Sequence, residues 1–244
     1  GNIWIGTFNG LNRYNKITGL FQNHTASDTQ ADGLTHSSIW CIVKDNQGTL
    51  WLGTYFGGVN YFNPEYEIYT RYSYSSNEKK GLSNPVVGRT IEDKDGNLWI
   101  GTEGGGLNYY NRRTREFKWY RPQEGRNSIS HNNVKALYYD ADKEIIWIGT
   151  HLGGLNKLDI RSGHFTHYRM EEGNPATLPS DIIRDIIPYK SLLIVATQNG
   201  VCLFNPANGQ CQQLFKDSKE GKSIKMIADV TFDSEGTLWI AATG

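Results

Sequence analysis

Short apolar and aromatic stretches, separated by Gly, Asn and Asp, run the length of the chain, and one of them returns at a nearly fixed distance. Trp4-Ile5-Gly6-Thr7 is followed by Trp51-Leu52-Gly53-Thr54, Trp99-Ile100-Gly101-Thr102 and Trp147-Ile148-Gly149-Thr150. Two degenerate copies come next, Ile194-Val195-Ala196-Thr197 and Trp239-Ile240-Ala241-Ala242. Successive first positions lie 47, 48, 48, 47 and 45 residues apart, and five of the seven tryptophans occupy this slot. A period of that length marks a repeat architecture.

Each full unit carries four short strand signals. The first is Ser38-Ile39-Trp40-Cys41-Ile42-Val43, with counterparts starting near Val86, Val134, Ile183 and Met226. An acidic turn ending in Gly follows, as in Asp45-Asn46-Gln47-Gly48, where Asp bonds its own downstream backbone and Gly supplies positive φ. The Trp strand is second, and a third reads Leu107-Asn108-Tyr109-Tyr110 or Leu155-Asn156-Lys157-Leu158. The fourth is short and aromatic, as in Glu116-Phe117-Lys118-Trp119-Tyr120. Four strands per roughly 40–50 residues is the arithmetic of a propeller blade. A helical repeat would need a 3.6-residue pattern, which is absent. The prediction is an all-β fold, a β-propeller of four-stranded antiparallel blades in a single segment over 1–244. Blades are expected at 36–83, 84–130, 131–180 and 181–223, with partial blades at 1–35 and 224–244. The ends would supply two second strands and no clean closure, so the segment is expected to be an arc or incomplete ring of a larger propeller.

Composition narrows the picture. The 27 Gly, 14 Tyr, 9 Phe and 7 Trp suit strands and turns. Charges balance at 25 Lys+Arg against 25 Asp+Glu, which gives no electrostatic case for nucleic acid or an anionic membrane as partner. The longest clean apolar stretch, Leu192 to Ala196, falls far short of a membrane span. Three cysteines are too few for a disulfide scaffold. Cys202 and Cys211 flank the Asn205-Pro206-Ala207-Asn208 turn at positions that could lie directly opposite each other, either as a disulfide or as packed thiols.

The stretch Gly81-Leu82-Ser83-Asn84-Pro85-Val86-Val87, then Ile91-Glu92-Asp93-Lys94-Asp95-Gly96-Asn97-Leu98-Trp99-Ile100-Gly101-Thr102, resembles the two-component regulator propeller repeat. The pattern recurs from Gly33-Leu34-Thr35-His36 through Thr54 and from Ser128-Ile129-Ser130-His131 through Thr150. The resemblance implies a periplasmic, ligand-sensing domain of a hybrid two-component histidine kinase, of the kind found in gut Bacteroidetes. Such domains are similar in sensing oligosaccharides, signalling through the geometry of a homodimer and regulating glycan-utilisation genes. The rival readings are a propeller enzyme acting on carbohydrate, a lyase or glycosidase, and a protein-interaction scaffold.

Candidate chemistry is sparse. Asp45, Asp93, Asp95, Asp140, Asp142, Asp233 and Glu235 recur once per blade as turn formers, which suits a unique general acid or base poorly. The six histidines show no metal-binding motif, so no catalytic or metal residue, and no cofactor, is expected. Variation between repeats is more informative. The hairpins joining second and third strands carry Phe8-Asn9, Tyr55-Phe56, Glu103-Gly104, His151-Leu152 and Gln198-Asn199 at their tips. On the first strand, Trp40, Gly88, Lys135 and Arg184 share one position, and Cys41, Arg89, Ala136 and Asp185 the next. A sugar needs an apolar platform and directional polar partners, which Trp40, Tyr55, Phe56, Arg89, Glu103, His151, Arg184 and Gln198 could supply. The structural alternatives are solvated tips, a Trp40 filling a gap between blades, and an Arg184 paired with Asp185 or Asp181. Glu103 with His151 is the one pair that an enzyme could use.

Overall fold

The computed structural model describes residues 2–26, 33–63, 68–215 and 226–242. Six antiparallel sheets account for nearly all of it, and among the described residues the only helical element is a 3-10 turn at Glu78–Lys80. The chain is all-β and built of propeller blades. It divides into two compact units, Gly1–Tyr120 and Arg121–Gly244.

In the first unit, β1 (Asn2–Thr7), β2 (Gly10–Asn15) and β3 (Phe21–His24) form a three-stranded sheet. Two four-stranded meanders follow. One comprises β4 (Ile39–Lys44), β5 (Leu50–Thr54), β6 (Val59–Asn63) and β7 (Ile68–Tyr72). The next comprises β8 (Val87–Glu92), β9 (Leu98–Thr102), β10 (Gly106–Asn111) and β11 (Glu116–Tyr120). The second unit has the same plan. It contains β12 (Val134–Asp140), β13 (Ile145–Thr150), β14 (Leu155–Asp159) and β15 (His164–Tyr168), then β16 (Ile183–Tyr189), β17 (Leu192–Thr197), β18 (Gly200–Phe204) and β19 (Cys211–Leu214). A two-stranded sheet, β20 (Ile227–Phe232) and β21 (Leu238–Ala242), completes it. Within each unit the first strand of one blade packs on the first strand of the next, β4 on β8, and β12 on β16 on β20.

The repeated tetrapeptide is explained residue by residue. Trp51, Trp99 and Trp147 hold equivalent places at the start of the second strand and are buried. Two of these indoles are tied down by the acidic turn. Trp51 Nε1 donates to Asp45 Oδ2 at 2.8 Å and Trp99 Nε1 to Asp93 Oδ2 at 3.2 Å, while the other carboxylate oxygen accepts the N–H groups two and four residues on. The same bonds recur from Trp239 to Asp233 in the two-stranded sheet. The second position, Leu52, Ile100 or Ile148, is core. The glycine makes room for the neighbouring blade: a Cβ at Gly53 would lie 2.6 Å from Val87 Cγ1, and one at Gly149 2.5 Å from Ile183 Cγ2. The threonine closes the hairpin, since the buried hydroxyls of Thr54, Thr102 and Thr150 donate to the carbonyls of Gly58, Gly106 and Gly154 at 2.9 Å.

A second tie is made by the asparagine of the third strand. Buried Asn60, Asn108 and Asn156 accept the backbone N–H of Thr35, Ser83 and Ser130 at 3.0, 2.8 and 2.8 Å. Each bond clips the connector that enters a blade to the middle of that blade. In the fourth meander Cys202 takes the asparagine's place, and here the sequence reading needs correction. Cys211 lies opposite Phe204, and Cys202 opposite Gln213, so the two cysteines are diagonal neighbours rather than a facing pair. Their sulfurs still meet at 3.2 Å as buried free thiols, and that contact together with burial pushes the Cys202 thiol well up.

Candidate functional site

Four of the predicted site residues occupy one structurally equivalent position. Tyr55, Glu103, His151 and Gln198 each begin the hairpin between second and third strands. Each donates its backbone N–H to the connector before the first strand, at Ser38 O (3.0 Å), Val86 O, Asn133 O and Ile182 O (2.9 Å each). The backbone at these tips is therefore held in the same way in each blade, while the residue type at the tip changes from blade to blade. Glycines at the far side of each hairpin, such as Gly58 (φ 77°) and Gly154 (φ 71°), complete the turn in the left-handed region.

The other variable set sits on an irregularity that the alternation of residues does not reveal. In every first strand the register slips by one extra residue: between Ile39 and Cys41, Val134 and Ala136, Ile183 and Asp185, and Ile227 and Asp229, and over a longer unpaired interval between Val87 and Thr90. Trp40, Lys135 and Arg184 are the bulged residues, and Gly88 and Arg89 fall inside the longer unpaired interval. A bulge leaves its residue outside the ladder and re-aims its side chain. The pattern accounts for the freedom of this position to change from blade to blade.

In the first unit the two sets converge on an aromatic platform. Trp40 stacks on Tyr55 with ring centroids 5.5 Å apart and planes 21° apart, and Tyr55 meets Phe56 edge-on at 4.3 Å. Phe8, from the first hairpin, packs edge-on against Trp40 at 5.9 Å, and His36 closes the other end against Phe56 at 6.1 Å. Trp40, Phe56 and Phe8 are 47%, 57% and 79% exposed. Trp40 therefore does not fill a dry gap between blades. Phe8 and His36 were not among the predicted site residues, although Phe8 stands at the same hairpin tip as Tyr55. Arg89, half-buried, lies near the buried Cys41 thiol, which desolvation pushes up and which this guanidinium partly offsets. Glu103 is half-buried at its own tip.

In the second unit, His151, Arg184 and Gln198 are all half-buried. Arg184 does not make the pairing expected with Asp181, which is bound instead by Arg169 at 2.9 Å. Among the described residues Arg184 forms no ion pair, and its buried Nε has no hydrogen-bond partner. Gln198 passes order onward, its carbonyl accepting the Met226 N–H at 2.8 Å.

One connector residue of this unit titrates. The His131 Nδ1 accepts the Asn133 N–H at 3.0 Å, so the folded state holds the ring neutral. Burial, and then the Arg169 guanidinium, lower its pKa from the ordinary value of about 6.5. The unfolded chain takes up the proton first as pH falls. The stabilisation is therefore complete above pH ~6.5 and is lost as acidification proceeds through the lower folded value. Asn84 caps the equivalent turn of the preceding blade without titrating, its Oδ1 accepting the Val86 N–H at 2.8 Å. His131→Asn is thus expected to flatten the loss of stability between pH 7.5 and 5 in thermal unfolding. Identical pH slopes for the two proteins would refute this role for His131.

Four-stranded meanders, buried tryptophans at one slot and hairpin tips that vary over a fixed backbone define a repeat β-propeller. The model of the two component regulator propeller family matches three stretches of the chain, residues 33–56, 81–104 and 128–151, each running from a connector to a hairpin tip. Among solved structures, the chain is similar to an extracellular domain assigned to a hybrid two component system of B. thetaiotaomicron, at 20% identity and a TM-score of 0.81, over 99% of this chain and 31% of that one. A second such domain from that organism is 24% identical with a TM-score of 0.61, over 100% of this chain and 40% of its own. A catalytically inactive virginiamycin B lyase from Staphylococcus aureus is 12% identical with a TM-score of 0.70, over 99% of this chain and 74% of that one. At these identities the likeness is one of fold. The chain spans well under half of either B. thetaiotaomicron domain. No curated protein matches it.

Proposed function

We propose that this chain is part of the extracytoplasmic, periplasmic sensor of a hybrid two-component histidine kinase, and that it binds an oligosaccharide on the Phe8–Trp40–Tyr55–Phe56 platform. One observation carries the reading: a set of rings in mutual contact, three of them exposed, presented by a bulge and two hairpin tips, positions that vary from blade to blade. Sugars bury their C–H faces on such rings and take direction from polar groups at the rim. The three stretches that match the two component regulator propeller model and the likeness in fold to two extracellular domains of hybrid two component systems support the cellular role. In this reading occupancy favours one arrangement of a homodimer, and the kinase that follows switches glycan-utilisation genes.

Calorimetric titration of the chain with a library of defined oligosaccharides tests it. A binding oligosaccharide is expected, with Trp40→Ala weakening it at least ~10-fold, as truncation of a central aromatic anchor does. The melting temperature should move little, because Trp40 stands outside the ladder. Binding indifferent to Trp40→Ala, or no binding across the library, would overturn the proposal. So would steady cleavage of the same oligosaccharides that depends on Glu103, since that behaviour belongs to a carbohydrate-cleaving propeller.

A further inference from the structure

At the opposite end of the first unit's blades, a cavity of about 280 Å³ opens beside the seam between two meanders. Gln47 of the acidic turn, Tyr61, Tyr72 and Tyr110 of the strands, and Arg112 and Arg115 of the turn between β10 and β11 line it, with Trp51 at its back. Among the described residues no carboxylate lines it. Its volume sits at the lower limit of ordinary small-molecule sites, enough for one ring rather than a chain.

The repeat shows that this seam has been altered. Among the described residues, four turns between third and fourth strands are built alike, the last residue donating its N–H to a carbonyl four residues back: Gly19 to Asn15, Arg115 to Asn111, Gly163 to Asp159 and Gly209 to Asn205. That residue takes a left-handed φ in each, 70°, 58°, 70° and 75°. Three of the four are glycine, for which the conformation is free, whereas Arg115 is held in a region that disfavours side chains. In the second unit the corresponding seam is closed and apolar. There Trp147, Tyr168 and Phe204 pack on one another, and Gly209 lies so close to Tyr168 that a Cβ would stand 2.8 Å from its ring. In the first unit Tyr110 replaces that phenylalanine, its hydroxyl bonded to that of Tyr72 at 2.8 Å, and Arg115 replaces the glycine.

The charges are unequally committed. Arg112 lies over the Trp51 ring at 5.2 Å and binds Asp45 at 3.0 Å and Glu92 at 3.5 Å, yet its buried Nε has no partner. The Arg115 side chain is exposed and forms no ion pair among the described residues. With Arg112 on one face of Trp51 and Tyr72 stacked at 14° on the indole, a ligand's body is left with Tyr61 and the tyrosine hydroxyls.

We infer that this seam is a second binding site, separate from the aromatic platform, for a small monocyclic carboxylate, its anion held by Arg115 and the spare donor of Arg112 and its ring against Tyr61. A planar guanidinium matches a carboxylate in two parallel hydrogen bonds. A uronic acid and an aromatic acid share that chemistry. The test titrates the chain with glucuronate, benzoate and, as the neutral control, glucose. At least one carboxylate should bind, and glucose should not bind with comparable affinity. Arg115→Gly introduces the residue found in three sibling turns, so it should keep or raise the melting temperature while weakening the carboxylate at least 10-fold. Trp40→Ala should leave that affinity unchanged, which separates this site from the oligosaccharide reading. Absence of binding by both acids, equal binding of glucose, or an Arg115→Gly protein that binds as tightly as the parent would overturn the inference.

Discussion

Asp45→Ala is expected to cost about 3–5 kcal/mol of folding stability, the range for removing one partner of a buried ion pair. The side chain is fully buried and accepts from four groups at once: the Trp51 indole, the Gln47 and Thr49 N–H groups and the Arg112 guanidinium. Its loss opens the turn, frees the indole and leaves Arg112 beside Glu92 alone. Asp233 makes the same turn and indole bonds at an exposed site, so Asp233→Ala should cost far less. Urea unfolding of the two variants measures the contrast. Equal and small losses would show that the carboxylate serves the turn only.

The second large effect is expected at Gly149. A Cβ there would stand 2.5 Å from Ile183 Cγ2 and 2.9 Å from the Ala136 Cβ, both on neighbouring first strands. Gly149→Val should destabilise by about 3 kcal/mol, toward the upper end for overpacking, because the backbone on either side is fixed in two ladders. Shortening the obstacle should relieve part of the clash. In a double-mutant cycle Gly149→Ala and Ile183→Ala are expected to couple favourably by more than about 0.5 kcal/mol. Strict additivity would mean that the glycine is needed for some reason other than clearance.

Much of the architecture was readable from the tetrapeptide, because each of its residues answers a demand that every blade repeats. The turn aspartates were readable as turn formers, but their grip on an indole six residues later was not, since the bond depends on how the hairpin folds back. The third-strand asparagines stood in plain view at 60, 108 and 156, yet a buried amide reads as a polar alternation until its partner connector is placed. The bulges were hidden for a related reason: a single extra residue leaves no mark on an apolar pattern that slips with it. Within the site, Trp40, Tyr55 and Phe56 were found as departures from the repeat, and the structure brings them together. Phe8 was passed over at an equivalent tip. Arg115 carried the same kind of signal, an arginine where three sibling turns have glycine at 19, 163 and 209.

The asparagine clip sets an order of closure within each leaf. Thr35, Ser83 and Ser130 find their amide partners only 25, 25 and 26 residues further along the chain. Each entering linker therefore stays uncaptured until the third strand of its own leaf is in place, so a leaf fastens to its linker only after its inner three strands have paired.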